Sequence, residues 1–185
     1  MTTSLKPINS HNGRGEKSKG NIFQDKNLLV VVSITMIAIM PLFTISPILS
    51  TIATGLNISS QQAGLVMAAY LMPVAIGTPI FGVLADRFGI IKILIPCLLV
   101  FALGGVLCAF APNFRSLIEG RILQGIGGAS MEALVLSIIS SSYSGNKLTA
   151  AMAFNGGAIG VSSTIYPILG GMLAALNWRY PFALS

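Results

Sequence analysis

Arg121, Gln124 and Glu132 lie within one apolar stretch, separated by steps that bring them to one side of a helix. At about 100° per residue, Gly128 falls among them and Glu119 points away, so the four form a single polar stripe. A guanidinium, an amide and a carboxylate on such a stripe can pair with one another, hold a charged ligand or carry a proton. No nucleophile–base pair accompanies them, because the single His11 lies in the polar start of the chain. Cys97 and Cys108 share another apolar segment, about 16 Å apart along a helix axis, which is too far for a disulfide. They are expected to face lipid or to pack. Gly125-Ile126-Gly127-Gly128 sits inside the apolar stretch and reads as a helix-packing run, not a nucleotide loop. There is no Walker motif and no metal cluster, so the residues do not point to an enzyme.

The elements that must position this stripe are membrane spans. Residues 27–85 carry no formal charge. Hydrophobic residues make up 54% of the chain and charged residues 9%, and the mean hydropathy is +0.82. Soluble domains carry about 25% charged residues, so this chain lacks the polar surface to cover a water-soluble core. An Arg within a span costs about 2.5–3.5 kcal/mol on insertion scales, and Arg121 must therefore face a cavity or a partner. The net charge of +6 does not indicate a nucleic-acid partner. Lys6, Arg14, Lys17, Lys19 and Lys26 all precede the first apolar run, and the other basic residues scatter with no aromatic-interleaved stripe.

Apolar length predicts spans at about 28–50, 63–84, 93–111, 116–139 and 148–176, with a sixth starting at 179. Residues 1–26 are expected to be a disordered tail. The connections are expected at 52–62, 86–92 and 140–147. The run at 28–49 exceeds a signal-peptide core and no A-x-A site follows, which predicts a retained span. Tail and connections place eight basic residues on the side of the N-terminus and two, Arg115 and Arg179, on the other. That asymmetry predicts a cytoplasmic N-terminus. Prolines within the spans and glycine pairs, together with Gly156-x-x-x-Gly160, predict a tightly packed bundle bending around a cavity.

Gly82-Val83-Leu84-Ala85-Asp86-Arg87-Phe88-Gly89, followed by Lys92, resembles the signature loop between the second and third helices of the major facilitator superfamily. Ile90 and Ile91 stand where the family pattern has basic residues. The resemblance implies that Gly82, Asp86, Arg87, Gly89 and Lys92 form a cytoplasmic latch between the halves of a transporter. Leu117-x-x-x-Arg121-x-x-Gln124-Gly125-x-Gly127-Gly128 is similar to the family's fourth-helix motif. Glu132 lies outside that motif, and helical geometry adds it to the same stripe. It is expected in the central cavity with Arg121 and Gln124, as a proton carrier or as the counter-charge for a cationic substrate. Pro167-x-x-Gly170-Gly171 resembles the end of the family's antiporter motif, with Tyr166 where the family has Gly. Gly125, Pro167, Gly170 and Gly171 are then expected to pack or kink helices. Trp178-Arg179-x-x-Phe182 is similar to the entrance of the sixth helix.

The resemblance covers residues 28–185. It implies an all-α integral membrane fold, the N-terminal half of a major facilitator superfamily bundle, with five complete spans plus the start of a sixth. The function expected is secondary active transport of small molecules, as proton-coupled efflux by an antiporter of the plasma membrane. No cofactor is expected; the driving force is a proton gradient. The partners implied are a small-molecule substrate, the lipid bilayer and a second six-helix half that this chain lacks, with no nucleic acid. The substrate site of such folds lies between the halves near the midplane. Two other readings stay open: an uptake or facilitative carrier of the same superfamily, or a truncated remnant or assembly partner that does not transport.

Overall fold

The computed structural model describes residues 25–184, and all regular structure among them is helical. The tail expected over 1–26 lies outside the described residues apart from Asp25 and Lys26. Helix α1 spans Lys26–Ile45, followed by a 3-10 turn at Ser46–Ile48 and α2 at Leu49–Leu56. Next come α3 (Ser60–Phe88), α4 (Ile90–Ala109), α5 (Phe114–Ser142), α6 (Gly145–Leu176) and the short α7 (Tyr180–Leu184). Among the described residues, five stretches are long and apolar enough to cross a membrane, the first being Lys26–Leu56 taken whole.

Pro47 explains that first composite span. It has no N–H for the Phe43 carbonyl, so the chain tightens into one 3-10 turn and then resumes as α2. The span therefore runs past the expected end at residue 50, and the connection expected over 52–62 shrinks to 57–59. Asn57 adopts the left-handed conformation (φ 51°) that ends α2. Ser59 then caps α3: its Oγ accepts from Gln62 N at 3.2 Å, and its own N–H donates to Gln62 Oε1 at 2.9 Å.

The other connections are also shorter than the charge pattern suggested. Only Gly89 separates α3 from α4, at φ 94°. Asp86 and Arg87 belong to the last turn of α3, while Lys92 belongs to the first turn of α4. A glycine can adopt this backbone conformation without a Cβ clash, so one residue replaces the loop expected over 86–92. Between α5 and α6 lie only Tyr143 and Ser144. Ser140 and Ser141 remain in α5, with their hydroxyls donating back to the Ser137 and Ile138 carbonyls. The Tyr143 hydroxyl donates to Asp25 Oδ2 at 2.7 Å and ties the start of α1 to the end of α5.

Helix α5 is the centre of the bundle, packed against α3, α4 and α1, while α6 packs on α1. One apolar cluster, including Leu28, Val31, Phe101 and Met131, lies toward the Asp25 end. Another, including Ile52, Val66, Leu117 and Phe182, lies toward the Asn57 end. Glycines allow the α4–α5 approach: a Cβ on Gly127 would sit 2.7 Å from the Cys97 carbonyl, and one on Gly120 2.8 Å from Cys108 Sγ. Cys97 and Cys108 are buried in that contact, so they pack and do not face lipid. The close approach expected at Gly156 and Gly160 is not made among the described residues, because a Cβ at either position meets nothing of them within 4 Å.

Candidate functional site

Asn113 starts α5, its side chain accepting from Ser116 N at 2.9 Å, and Arg121 follows two turns later. Arg121 is fully buried. Its Nη1 donates to Gln124 Oε1 at 2.8 Å and its Nη2 to the Pro41 carbonyl at 3.3 Å. The rings of Tyr70 and Phe182 each lie 5.3 Å from the guanidinium carbon. Tyr70 is itself anchored, its hydroxyl donating to the Ala38 carbonyl at 2.6 Å. It also fills the space left by two glycines of α5, where a Cβ on Gly128 would sit 2.7 Å from its hydroxyl and one on Gly125 would collide with its carbonyl. Arg121 Nε has no hydrogen-bond partner among the described residues.

Arg121 and Gln124 therefore do not line the open cavity expected of them. A guanidinium inside an apolar bundle needs oxygen acceptors and aromatic faces in place of water. Helices α1, α3 and α7 supply these around α5. The result is a closed cage that links four elements through one side chain.

Glu132 lies eleven residues further along α5, about 16 Å away along the axis, and the structure separates it from that cage. It is half-buried, and among the described residues it makes no ion pair or hydrogen bond. Instead it lines a cavity of about 240 Å³ with Val135 of α5, Thr35 and Ile39 of α1, and Asn155 and Ile159 of α6. Thr35 Oγ1 donates to Asn155 Oδ1 at 2.8 Å and also lies 3.0 Å from the Val31 carbonyl. Sequence reasoning missed Thr35 and Asn155. Thr35 shares its span with Ser33, Thr44 and Ser46 and nothing sets it apart, whereas Asn155 is the one amide within residues 148–176, a signal available before the spans are packed. Glu119, by contrast, is exposed and paired with Arg115 at 3.0 Å, as its opposite direction on the helix predicts.

At the turn between α3 and α4, Asp86 and Lys92 border an open groove of about 510 Å³ shared with Ser137 and Ser141 of α5. Asp86, Arg87 and Lys92 are all exposed, and the Arg87 guanidinium lies 5.7 Å from the Phe88 ring centre. A Cβ on Gly82 would meet nothing within 4 Å. The charged residues of this turn face outward from the half-bundle with room around them.

A family model for the Major Facilitator Superfamily matches residues 31–185. The chain belongs to the major facilitator superfamily. Its five apolar helices form the all-α membrane architecture of a superfamily N-terminal half. The bacillibactin exporter of Bacillus subtilis (strain 168) is 34% identical over 164 residues, which are 85% of this chain and 41% of the exporter. The multidrug efflux pump SdrM of Staphylococcus aureus (strain N315) is 31% identical over 86% of this chain and 36% of the pump. The class H tetracycline resistance protein of Pasteurella multocida is 32% identical over 87% of this chain and 41% of that protein. The chain thus spans about two-fifths of the length of these relatives. The first two are named as an exporter and an efflux pump and the third as a resistance protein, and the superfamily is one of transporters, not enzymes.

In the superfamily member described here, Pro167 lies inside an uninterrupted α6. Gly170 meets α1 so closely that a Cβ would run into the Thr44 carbonyl, whereas Gly171 faces open space. Gly170 is thus a packing glycine within this chain and Gly171 is not, because one position in sequence turns the residue away from α1. Tyr166, standing where the resemblance expects Gly, donates from its hydroxyl to the Met36 carbonyl at 3.2 Å. The sixth-helix entrance is clamped from both sides. Trp178 packs edge-on to Phe182 with ring centres 6.2 Å apart, and a Cβ on Gly55 would sit 2.7 Å from the indole. Arg179 Nη2 donates to the Ala111 carbonyl at 3.1 Å.

Proposed function

We propose that this chain forms the N-terminal part of a proton-coupled exporter of small molecules in the cell membrane, with its N-terminus in the cytoplasm. The observation that carries this reading is the unpaired Glu132 carboxylate in the cavity between α1, α5 and α6. An ionisable group at membrane depth marks a substrate or ion pathway. A carboxylate with no fixed counter-charge there can alternate between a bound proton and a cationic substrate. The names of the relatives supply the direction, outward. The excess of basic residues on the side of the N-terminus supplies the orientation.

In this reading a second six-helix half closes the opposite wall of the cavity. Asp86, Arg87 and Lys92 face that half across the cytoplasmic groove, and the open face of α6 carrying Gly156, Gly160 and Gly171 lies along it. The proton gradient drives the exchange, and no cofactor takes part.

The test uses everted membrane vesicles carrying the polypeptide expressed from its own gene with the sequence downstream of codon 185. Respiration acidifies the vesicle interior. An exported substrate added outside then discharges the gradient, which a pH-sensitive dye reports. Glu132→Gln is expected to abolish that discharge. Full proton-coupled transport by Glu132→Gln would remove Glu132 from the mechanism.

Tyr166 favours a second reading, a facilitative or uptake carrier, because it ties α6 to α1 where the antiporter motif has Gly. Such a carrier would move substrate without discharging the gradient in the same vesicles. Vesicles with the 185-residue chain alone show whether it transports unaided or is a remnant that needs a partner.

A further inference from the structure

We infer that the Glu132 cavity recognises its ligand at two points, and that it takes an organic ammonium bearing a hydrogen-bond acceptor oxygen next to its nitrogen. The inference rests on the cavity reading proposed above and adds Asn155 as a specificity-determining residue. The Thr35 hydroxyl has a single proton, shared between Asn155 Oδ1 at 2.8 Å and the Val31 carbonyl at 3.0 Å, and the structure places Oδ1 on the side of Thr35. Thr35 is nearly inaccessible and fixed on α1, so it holds Oδ1 toward α1 and leaves Nδ2 as the free branch of the amide. An amide nitrogen carries two donors. Neither finds a partner among the described residues, and the Glu132 carboxylate beside them in the cavity is equally unpartnered.

An uncompensated donor pair and an uncompensated carboxylate in one membrane cavity are costly unless a ligand or water satisfies both. The carboxylate attracts a cation; the amide N–H groups attract an acceptor oxygen. Ile39, Val135 and Ile159 supply apolar wall for the remainder of the molecule. A plain alkylammonium would satisfy Glu132 and leave Asn155 idle, whereas an amino alcohol would satisfy both.

The test measures binding to the full 185-residue chain in lipid nanodiscs by equilibrium dialysis. The probes are 2-phenylethylamine and phenylalaninol, which differ by a hydroxymethyl group beside the nitrogen. One net hydrogen bond predicts about tenfold tighter binding of phenylalaninol. Asn155→Leu is expected to erase that preference, so that the two probes bind within about twofold of each other. Asn155→Asp keeps the shape but replaces donors with a second carboxylate, so it should strengthen phenylethylamine relative to phenylalaninol. Thr35→Val releases the amide to flip and should shrink the preference.

Equal affinity of the native chain for the two probes, or no binding of either, would overturn the inference. So would a preference that survives Asn155→Leu. Glu132→Gln reports separately on the cavity: weakened binding of both probes supports the underlying reading, and unchanged binding of both sinks it, whatever Asn155 does.

Discussion

Gly104→Ala gives a direct test of how tightly α4 and α5 are apposed. A Cβ at Gly104 would lie 2.5 Å from Gln124 N, 2.7 Å from its Cα and 2.7 Å from its Cβ, against 3.4–4 Å in ordinary contact. Relief requires the two helices to part by about 1 Å, since Gln124 cannot yield alone. Its backbone belongs to α5, and its side chain accepts from Arg121. A gap of about 0.5–1 Å forfeits roughly a quarter to a half of the dispersion attraction across the contact. Overpacking of this kind costs about 1–3 kcal/mol. Alanine returns about 1 kcal/mol through helix propensity. Gly160→Ala is the matched control, because its Cβ enters open space and it gains the same propensity term. The expected result is that Gly104→Ala is less stable than Gly160→Ala by about 1–3 kcal/mol. The assay is reversible unfolding of the 185-residue chain in mixed micelles titrated with SDS, followed by circular dichroism. A Gly104→Ala chain as stable as Gly160→Ala would refute the α4–α5 packing described here.

The remaining predictions use the same assay. Gly89→Ala places a Cβ at φ 94° in the one-residue turn and should cost about 1–3 kcal/mol, whereas Gly82→Ala in α3 should be neutral or stabilising. Tyr143→Phe removes the hydrogen bond to Asp25 and should cost about 0.5–1.5 kcal/mol. The Tyr143 phenol is pushed up from 10.0 to about 12, first by burial and then by its bond to Asp25. The folded chain therefore holds this proton more tightly than the unfolded chain does. Its contribution is full below pH 10 and declines as pH rises toward 12. Tyr143→Phe should flatten that part of the stability profile, and an unchanged decline would assign it to other groups.

The unequal legibility of the two halves of the polar stripe shows where periodicity stops being informative. Arg121, Gln124, Gly128 and Glu132 do share a side of α5, and Glu119 does point away. Helical repeat fixes where a residue points on its own helix, and says nothing about what another helix brings to meet it. Arg121 meets Pro41, Tyr70 and Phe182, contributed by three other elements. Glu132 meets the Thr35–Asn155 pair, whose members are 120 residues apart. One stripe thus becomes a closed cage at one level and an open cavity at the next.

The sequence by itself determined the number and order of the spans, because crossing a bilayer demands about 20 apolar residues and that requirement is local. It also determined the family, through short motifs. Tertiary structure decided how short the connections are, which glycines touch a neighbour and which polar groups meet. Gly170 and Gly171 are adjacent and chemically identical, yet one packs against Thr44 and the other faces open space. Contacts of that kind depend on the relative placement of whole helices, which is set by packing summed over their length and by no single residue along it.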